Sequence, residues 1–251
     1  MAMSYEYENS KESISDDLER LAELLNEYGL CKDTSSLYQA SSLKYNPADT
    51  NWKYCINIPI TVNTLPAHMR PTKVECLEIN FSLQIEGVFL EENVVGNPIN
   101  DLKFDIVING LSDKGEHIAT WHLDKHIGGK GDGKSKFIHP EYHFSFGGNK
   151  MWEQNLDYGN ILIHPSPRLP HPPMDAILGV DFILQNFVDK DDILGLISTP
   201  EYKTIVKNSQ RRLWMPYMLA IAKHWCRHLN CIYSDTSNLC EIFYPMLEKY
   251  N

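Results

Sequence analysis

Residues 77–86 read Leu-Glu-Ile-Asn-Phe-Ser-Leu-Gln-Ile-Glu, five apolar side chains alternating strictly with five polar ones. Successive side chains of a strand point to opposite faces, so this stretch is a strand with one dry face and one wet face. Leu102, Phe104, Ile106 and Ile108 repeat the alternation. Residues 54–62 repeat it more weakly, with Pro59 marking an edge or a bulge. Consecutive strands of this kind, joined by short turn-rich segments and no helix, predict an antiparallel meander.

Helical patterns lie on either side. Leu18, Leu21, Leu24, Leu25 and Tyr28 form one apolar stripe, which predicts a helix over 14–28 with Ser13 as its cap, Asp16 and Asp17 at the positive end of its dipole, and Gly29 as its stop. Residues 1–12 are polar and are expected to be disordered, and 32–52 read as a long connection. Beyond Pro170, the pair Pro172 and Pro173 opens a helix to about residue 187, Thr199 and Pro200 read as the cap and first position of another, and 219–229 as a third. Strands first and helices later predict an α+β fold: an N-terminal helix and an antiparallel β meander covered by C-terminal helices. We expect one domain over 13–251, strand-rich in 53–165 and helical in 172–251.

The 251 residues carry 33 acidic and 23 basic side chains, a net charge of −10. That balance excludes a protein that coats nucleic acid along its length, while leaving room for a local basic site. No apolar run approaches the roughly 18 residues of a membrane span, and the polar start does not read as a secretory signal, so a cytoplasmic protein is expected. Six cysteines spread over the chain are too sparse for a disulfide framework and read as thiols.

The segment 116–147, EHIATWHLDKHIGGKGDGKSKFIHPEYHFSFG, carries the chemistry. In its first arm Ala119, Trp121 and Leu123 share one face, and Thr120, His122 and Asp124 the other. In its second, Ile138, Tyr142, Phe144 and Phe146 fall opposite His139, Glu141, His143 and Ser145. Pairing the arms as a hairpin puts both polar sets on one face, and a symmetric register places His122 opposite His139. Imidazoles with a carboxylate can hold a divalent metal (Zn, Mn or Mg) that activates water, with His122, His139 and His143 as ligands. Without metal, one histidine can act as general base and another as general acid, so His122, Asp124, His139 and His143 are the candidate catalytic residues. Lys125, Lys130, Lys134 and Lys136 form a basic arm beside them that could bind a phosphate-bearing substrate, with Arg168 and His171 delivered by the proline-braced segment HPSPRLPHPPMD.

Three further patterns compete with this reading. Residues 128–135, GGKGDGKS, satisfy the phosphate-binding-loop pattern, and residues 177–181 resemble an apolar strand ending in a magnesium-linked aspartate. A true phosphate loop runs directly into a helix, whereas 136–146 alternates like a strand. Asp181 in an apolar run needs a partner, for which Arg168 or His171 is expected, giving a buried salt bridge that docks a helix on the sheet. His224, His228 and Cys231 share one helical stripe and could form a zinc clip with Cys240, against the plainer reading of a core helix.

WHLDKH (121–126) followed by HPEYHF (139–144) resembles the histidine-rich segments of small bacterial proteins encoded with toxin–antitoxin and phage-defence genes, TumE-like toxins among them. The order helix, meander, His-Pro element and helices is also similar to the ubiquitin-conjugating fold, but no cysteine follows His139 and Pro140 where that family keeps its nucleophile, so its thioester chemistry is not expected. The resemblance implies a bacterial conflict-system setting. It implies no defined activity; the two alternating arms that place His122, Asp124, His139 and His143 on one face give the expectation of a hydrolase, most specifically a metal- or histidine-dependent phosphodiesterase or nuclease. A non-catalytic adaptor that binds a partner protein from the same operon is the alternative, and a nucleotide-binding protein using residues 128–135 the third.

Overall fold

The computed structural model describes residues 9–45, 51–66, 73–91, 94–125, 140–153, 169–225 and 232–233. Helix α1 spans Lys11–Glu27 and begins earlier than the apolar stripe alone indicates. Ser10, in an extended conformation, is its cap, and its hydroxyl accepts from the Ser13 N–H at 3.1 Å. The first-turn acid is therefore Glu12, while Ser13 and Asp17 are buried inside the molecule. Gly29, with φ of +65°, turns the chain out of the helix as expected. A short helix α2, Ser35–Ser41, follows in what reads from sequence as a plain connection.

Six strands make one antiparallel sheet in the order β1 (Asn51–Thr61), β2 (Val74–Val88), β4 (Ile99–Ser112), β5 (Gly115–Lys125), β6 (Tyr142–Phe146) and β7 (Leu169–Pro170). The fold is thus α+β, with the expected meander at its centre. Pro59 lies on β1, an edge strand, opposite Asn80. Ile79, Phe81, Leu83 and Ile85 of β2 are all buried on the dry face beside Ile56, Ile58, Phe104 and Ile106, the alternation foreseen for residues 77–86. A separate parallel pair joins β3 (Val94–Val95) to β8 (Ile232–Tyr233).

Helices cover the dry face. Helix α4 (Ala176–Phe187) starts at Asp175, whose carboxylate accepts from the Leu178 N–H at 2.9 Å, so residues 172–175 precede the helix and 177–181 are helical, not a strand ending in a metal-linked aspartate. Gly179 lets α4 approach the sheet: a Cβ there would lie 2.4 Å from the Phe81 ring and 2.7 Å from that of Phe104. Helices α5 (Lys190–Ser198) and α6 (Pro200–Ser209) follow, the latter capped by Thr199 with Pro200 at its first position, as the sequence predicts. A π-helical turn, Gln210–Trp214, leads into α7, Met215–Trp225. Residues of α1, α2, the sheet, α4, α5 and α6 join one hydrophobic core.

An ionic network lies under this helical layer. Arg212 meets Asp17 at 2.6 Å and donates to the Ser13 hydroxyl at 3.1 Å; Asn208 donates to Asp17 at 3.0 Å. Nearby, the Ser209 hydroxyl donates to Asp175 at 2.6 Å, and the Tyr54 hydroxyl accepts from the Ala176 N–H at 3.3 Å. Burial lifts the Asp17 carboxyl above its ordinary pKa although the guanidinium and Asn208 pull it down. The expected partner of Asp181 is corrected: its carboxylate accepts from the Tyr202 hydroxyl at 3.1 Å and from Gln185 at 2.8 Å, not from His171. Cys31, Cys55 and Cys76 are free thiols. Among the described residues no helix is long and apolar enough to cross a membrane.

Candidate functional site

Strands β5 and β6 pair as the expected hairpin, but in a different register from the symmetric one. His122 stands opposite Ser145 and Asp124 opposite His143. The anticipated pairing of His122 with His139 is therefore not the register of this sheet, and His139 lies outside the described residues. The two-residue period still holds, so Thr120, His122, Asp124, His143 and Ser145 all project from the wet face, the face opposite α4. On the other side of β5, Asp105 of β4 stands opposite His122 and Lys103 opposite Asp124.

The imidazoles converge on one carboxylate. Asp124 Oδ2 lies 3.4 Å from His122 Nε2 and 3.9 Å from His143 Nε2. Their exposures differ: 22% for the His122 side chain, 47% for Asp124 and 6% for His143. The arrangement is a chain from a half-open imidazole, through a carboxylate facing solvent, to a buried imidazole. His122 and Asp124 line a cavity of about 560 Å³ with Thr120, Ser145, Asp105 and Lys150. Both imidazoles bring Nε2 within 3.9 Å of the carboxylate. Among the described residues no group of three or more His, Cys, Asp or Glu is placed to hold a metal ion.

A glycine turn shapes the wall beside His122. Gly147 and Gly148 have φ of +89° and +97°, a region that side chains other than glycine rarely enter. Thr120, buried, fixes this turn: its hydroxyl donates to the Gly147 carbonyl at 2.6 Å, and its own carbonyl accepts from the Gly147 N–H at 2.8 Å. A Cβ on Gly148 would come within 3.0 Å of His122 Cε1 and 3.2 Å of Nδ1, so the bare backbone leaves that edge of the ring uncrowded. The turn runs into the short helix α3, Asn149–Trp152, from which Lys150 reaches Asp105 at 3.2 Å.

Other expected site residues are placed elsewhere. The Lys125 ammonium donates to the Ile99 carbonyl and, at 3.3 Å, to that of Asn100, with Glu141 at 4.0 Å. Burial pushes its pKa down, opposed by Glu141 and Asp101. Glu141 in turn accepts from Asn97 at 2.6 Å. Lys125 is thus a structural tie between β5 and β4 rather than a substrate-gripping arm. His171 is on the opposite face of the sheet, its ring against Phe144 and Phe182 at 5.6 and 5.9 Å, with Nδ1 2.7 Å from the Pro172 carbonyl. Burial lowers its pKa, opposed by that hydrogen bond. Lys130, Lys134, Lys136, Arg168, the loop 128–135, and the side chains of His224, His228, Cys231 and Cys240 lie outside the described residues.

Sequence reasoning missed Thr120, Ser145, Gly147, Gly148, Asp105 and Lys150. The adjacent glycines closing a strand were a usable signal, and Thr120 and Ser145 already shared the histidine face. Nothing local marks Asp105 or Lys150. The chain matches no family model, and comparison with curated proteins and with solved structures gives no significant similarity.

Proposed function

We propose that the chain is a hydrolase whose active site is the wet-face cavity, and within that class a nuclease-like phosphodiesterase of a bacterial defence or toxin–antitoxin system. The supporting observation is the placement of His122 and Asp124, 3.4 Å apart, in the wall of a cavity large enough for a substrate. His122 takes the proton of the attacking hydroxyl and returns it to the leaving oxygen. Asp124 orients the imidazole and stabilises its charged form, a division of labour that needs only the observed proximity. His143 approaches Asp124 at 3.9 Å but does not line the cavity, and it acts on Asp124 as a positioning residue. Lys150 is the lysine of the described wall and is paired with Asp105, beside Asp124 and Glu153, so a phosphate-bearing substrate needs the further positive charge that Lys130, Lys134 and Lys136 are proposed to add. The bacterial setting rests on the resemblance of residues 121–144.

The test is hydrolysis of bis(p-nitrophenyl) phosphate and of single-stranded RNA and DNA, with and without added Mn²⁺, Mg²⁺ or Zn²⁺. His122→Ala is expected to lower kcat by roughly 10²- to 10⁴-fold, the usual contribution of a general base, while leaving the melting temperature in place. Wild-type rates in both His122→Ala and Asp124→Asn overturn the reading. Rate recovery that depends on one metal supports the metal-assisted form, with His139 as an added ligand.

The adaptor reading is favoured by a different observation. Met215 and Met218, three residues apart on α7 and therefore on one side of it, are 48% and 44% exposed, and Met-bearing surfaces suit adaptable protein partners. It predicts a complex with a protein from the same operon that survives His122→Ala and is lost in a Met215→Lys, Met218→Lys double variant. Indifference of the complex to the methionine changes sinks it.

A further inference from the structure

Ser145 is the cavity-lining residue that β6 sets across from His122. It stands directly across the β5–β6 ladder from His122, on the same face, where facing side chains of an antiparallel pair are neighbours. It lines the same cavity. The residue is only 6% exposed, and its hydroxyl oxygen has no hydrogen-bond partner among the described residues, an unusual condition for a buried hydroxyl. A buried hydroxyl without a partner is left in an unfavourable state that a turn about χ1 toward a neighbouring acceptor relieves. The acceptor across the ladder is the imidazole that Asp124 already orients. That turn about χ1 would also bring the now fully buried hydroxyl oxygen toward the cavity and give a serine, imidazole and carboxylate on two neighbouring strands, in an order of roles that recurs on unrelated folds.

We propose that Ser145 Oγ is the catalytic nucleophile and that hydrolysis runs through a covalent seryl intermediate. The inference rests on the hydrolase reading above and assigns the attacking atom that reading leaves open. His122 takes the hydroxyl proton as Oγ forms a bond to the ester phosphorus, and the bond from phosphorus to the leaving oxygen breaks as His122 returns the proton to that oxygen. Water then gives its proton to His122 and attacks phosphorus. The bond to Ser145 Oγ breaks, and the proton returns to the serine. No oxidant, reductant or further reactant is consumed. Gly148 leaves the Nδ1 edge of His122 uncrowded.

The test is labelling of the full chain with diisopropyl fluorophosphate, in which Oγ–P forms, P–F breaks and fluoride leaves, read by intact mass and peptide mapping. One diisopropylphosphoryl group on Ser145 is expected, with the rate cut at least about 100-fold by His122→Ala, in line with loss of a general base. Ser145→Ala is expected to remain unlabelled with an unchanged melting temperature. No label on Ser145, or a label whose rate ignores His122, overturns the proposal. Full phosphodiesterase activity in Ser145→Ala together with an inactive His122→Ala also overturns it, while leaving the hydrolase reading intact with water as nucleophile. Conversely, His122-dependent labelling without turnover of any phosphodiester upholds the nucleophile and removes the phosphodiesterase reading.

Discussion

The sheet carries a polar cluster on each side, and the two are built on opposite terms. On the helix side, Asp17 and Arg212 are almost fully buried at 7% and 4% exposure and meet within 2.6 Å, flanked by Ser13 and Asn208. On the wet side, Asp124 is 47% exposed and borders a cavity, and its neighbours are the imidazoles of His122 and His143. Charges that are buried together act on one another and hold elements in one arrangement, out of a ligand's reach. Charges that share a cavity with solvent keep their capacity to exchange protons. Proximity of acid to base is common to both clusters, and access to solvent separates them.

The sharpest way to break this comparison is to remove one member from each side. Arg212→Met strands the Asp17 carboxylate in the interior and is expected to cost about 3–5 kcal/mol in urea unfolding, the range found when one partner of a buried pair is deleted. Adding Asp17→Asn to that variant should recover part of the loss, because the stranded charge is gone. His122→Ala on the wet face should cost less than about 1 kcal/mol, as expected for a partly exposed site outside the core. Similar losses from Arg212→Met and His122→Ala would show that both clusters are structural.

A smaller effect is expected at the glycine turn. Gly148→Ala forces a side chain into φ of +97° and against the His122 ring, at an expected cost of about 1–3 kcal/mol for a residue held in such a region. Activity should fall further than stability, and chemical denaturation measured beside the hydrolysis assay separates the two. Equal losses would place the turn outside the site.

The smallest effect concerns pH. Burial holds the pKa of His171 below its unfolded value of about 6.5, so the unfolded chain binds the proton more readily. This residue's contribution is therefore complete above about pH 6.5 and is lost as pH falls from there through the lower folded value. His171→Phe, which keeps a ring against Phe144 and Phe182, should flatten the fall in melting temperature between neutral and mildly acidic pH relative to wild type. An unchanged slope means that His171 remains open to protonation in the folded state.

Much of the fold could be read from local pattern. Alternation over 77–86 named a strand and its dry face, because period two is a property of the backbone alone. Thr199 and Pro200 announced α6 because both act on the backbone of the next few residues. The start of α1 was misplaced because its cap, Ser10, precedes the apolar stripe and carries no periodicity of its own. The proline pair was read as opening α4, yet Asp175 caps it, since side-chain capping outweighs a proline several residues upstream. The site was legible in part: the alternation of residues 120–124 put His122 and Asp124 on one face. It did not set which residue of β6 lies across from them, because register depends on how two strands meet.

By itself, then, the sequence determined the α+β order, the dry and wet faces of the strands and the grouping of His122 with Asp124, all consequences of backbone periods and caps acting over a few residues. The tertiary structure decided the rest. It set Ser145 rather than His139 opposite His122, turned Lys125 inward to the carbonyls of residues 99 and 100, sent His171 to the far face, and joined Asp17 to Arg212 across almost the whole described chain. These outcomes depend on strand register and on which distant side chains meet in the interior. Both are settled by packing the whole molecule at once, and no local stretch encodes them.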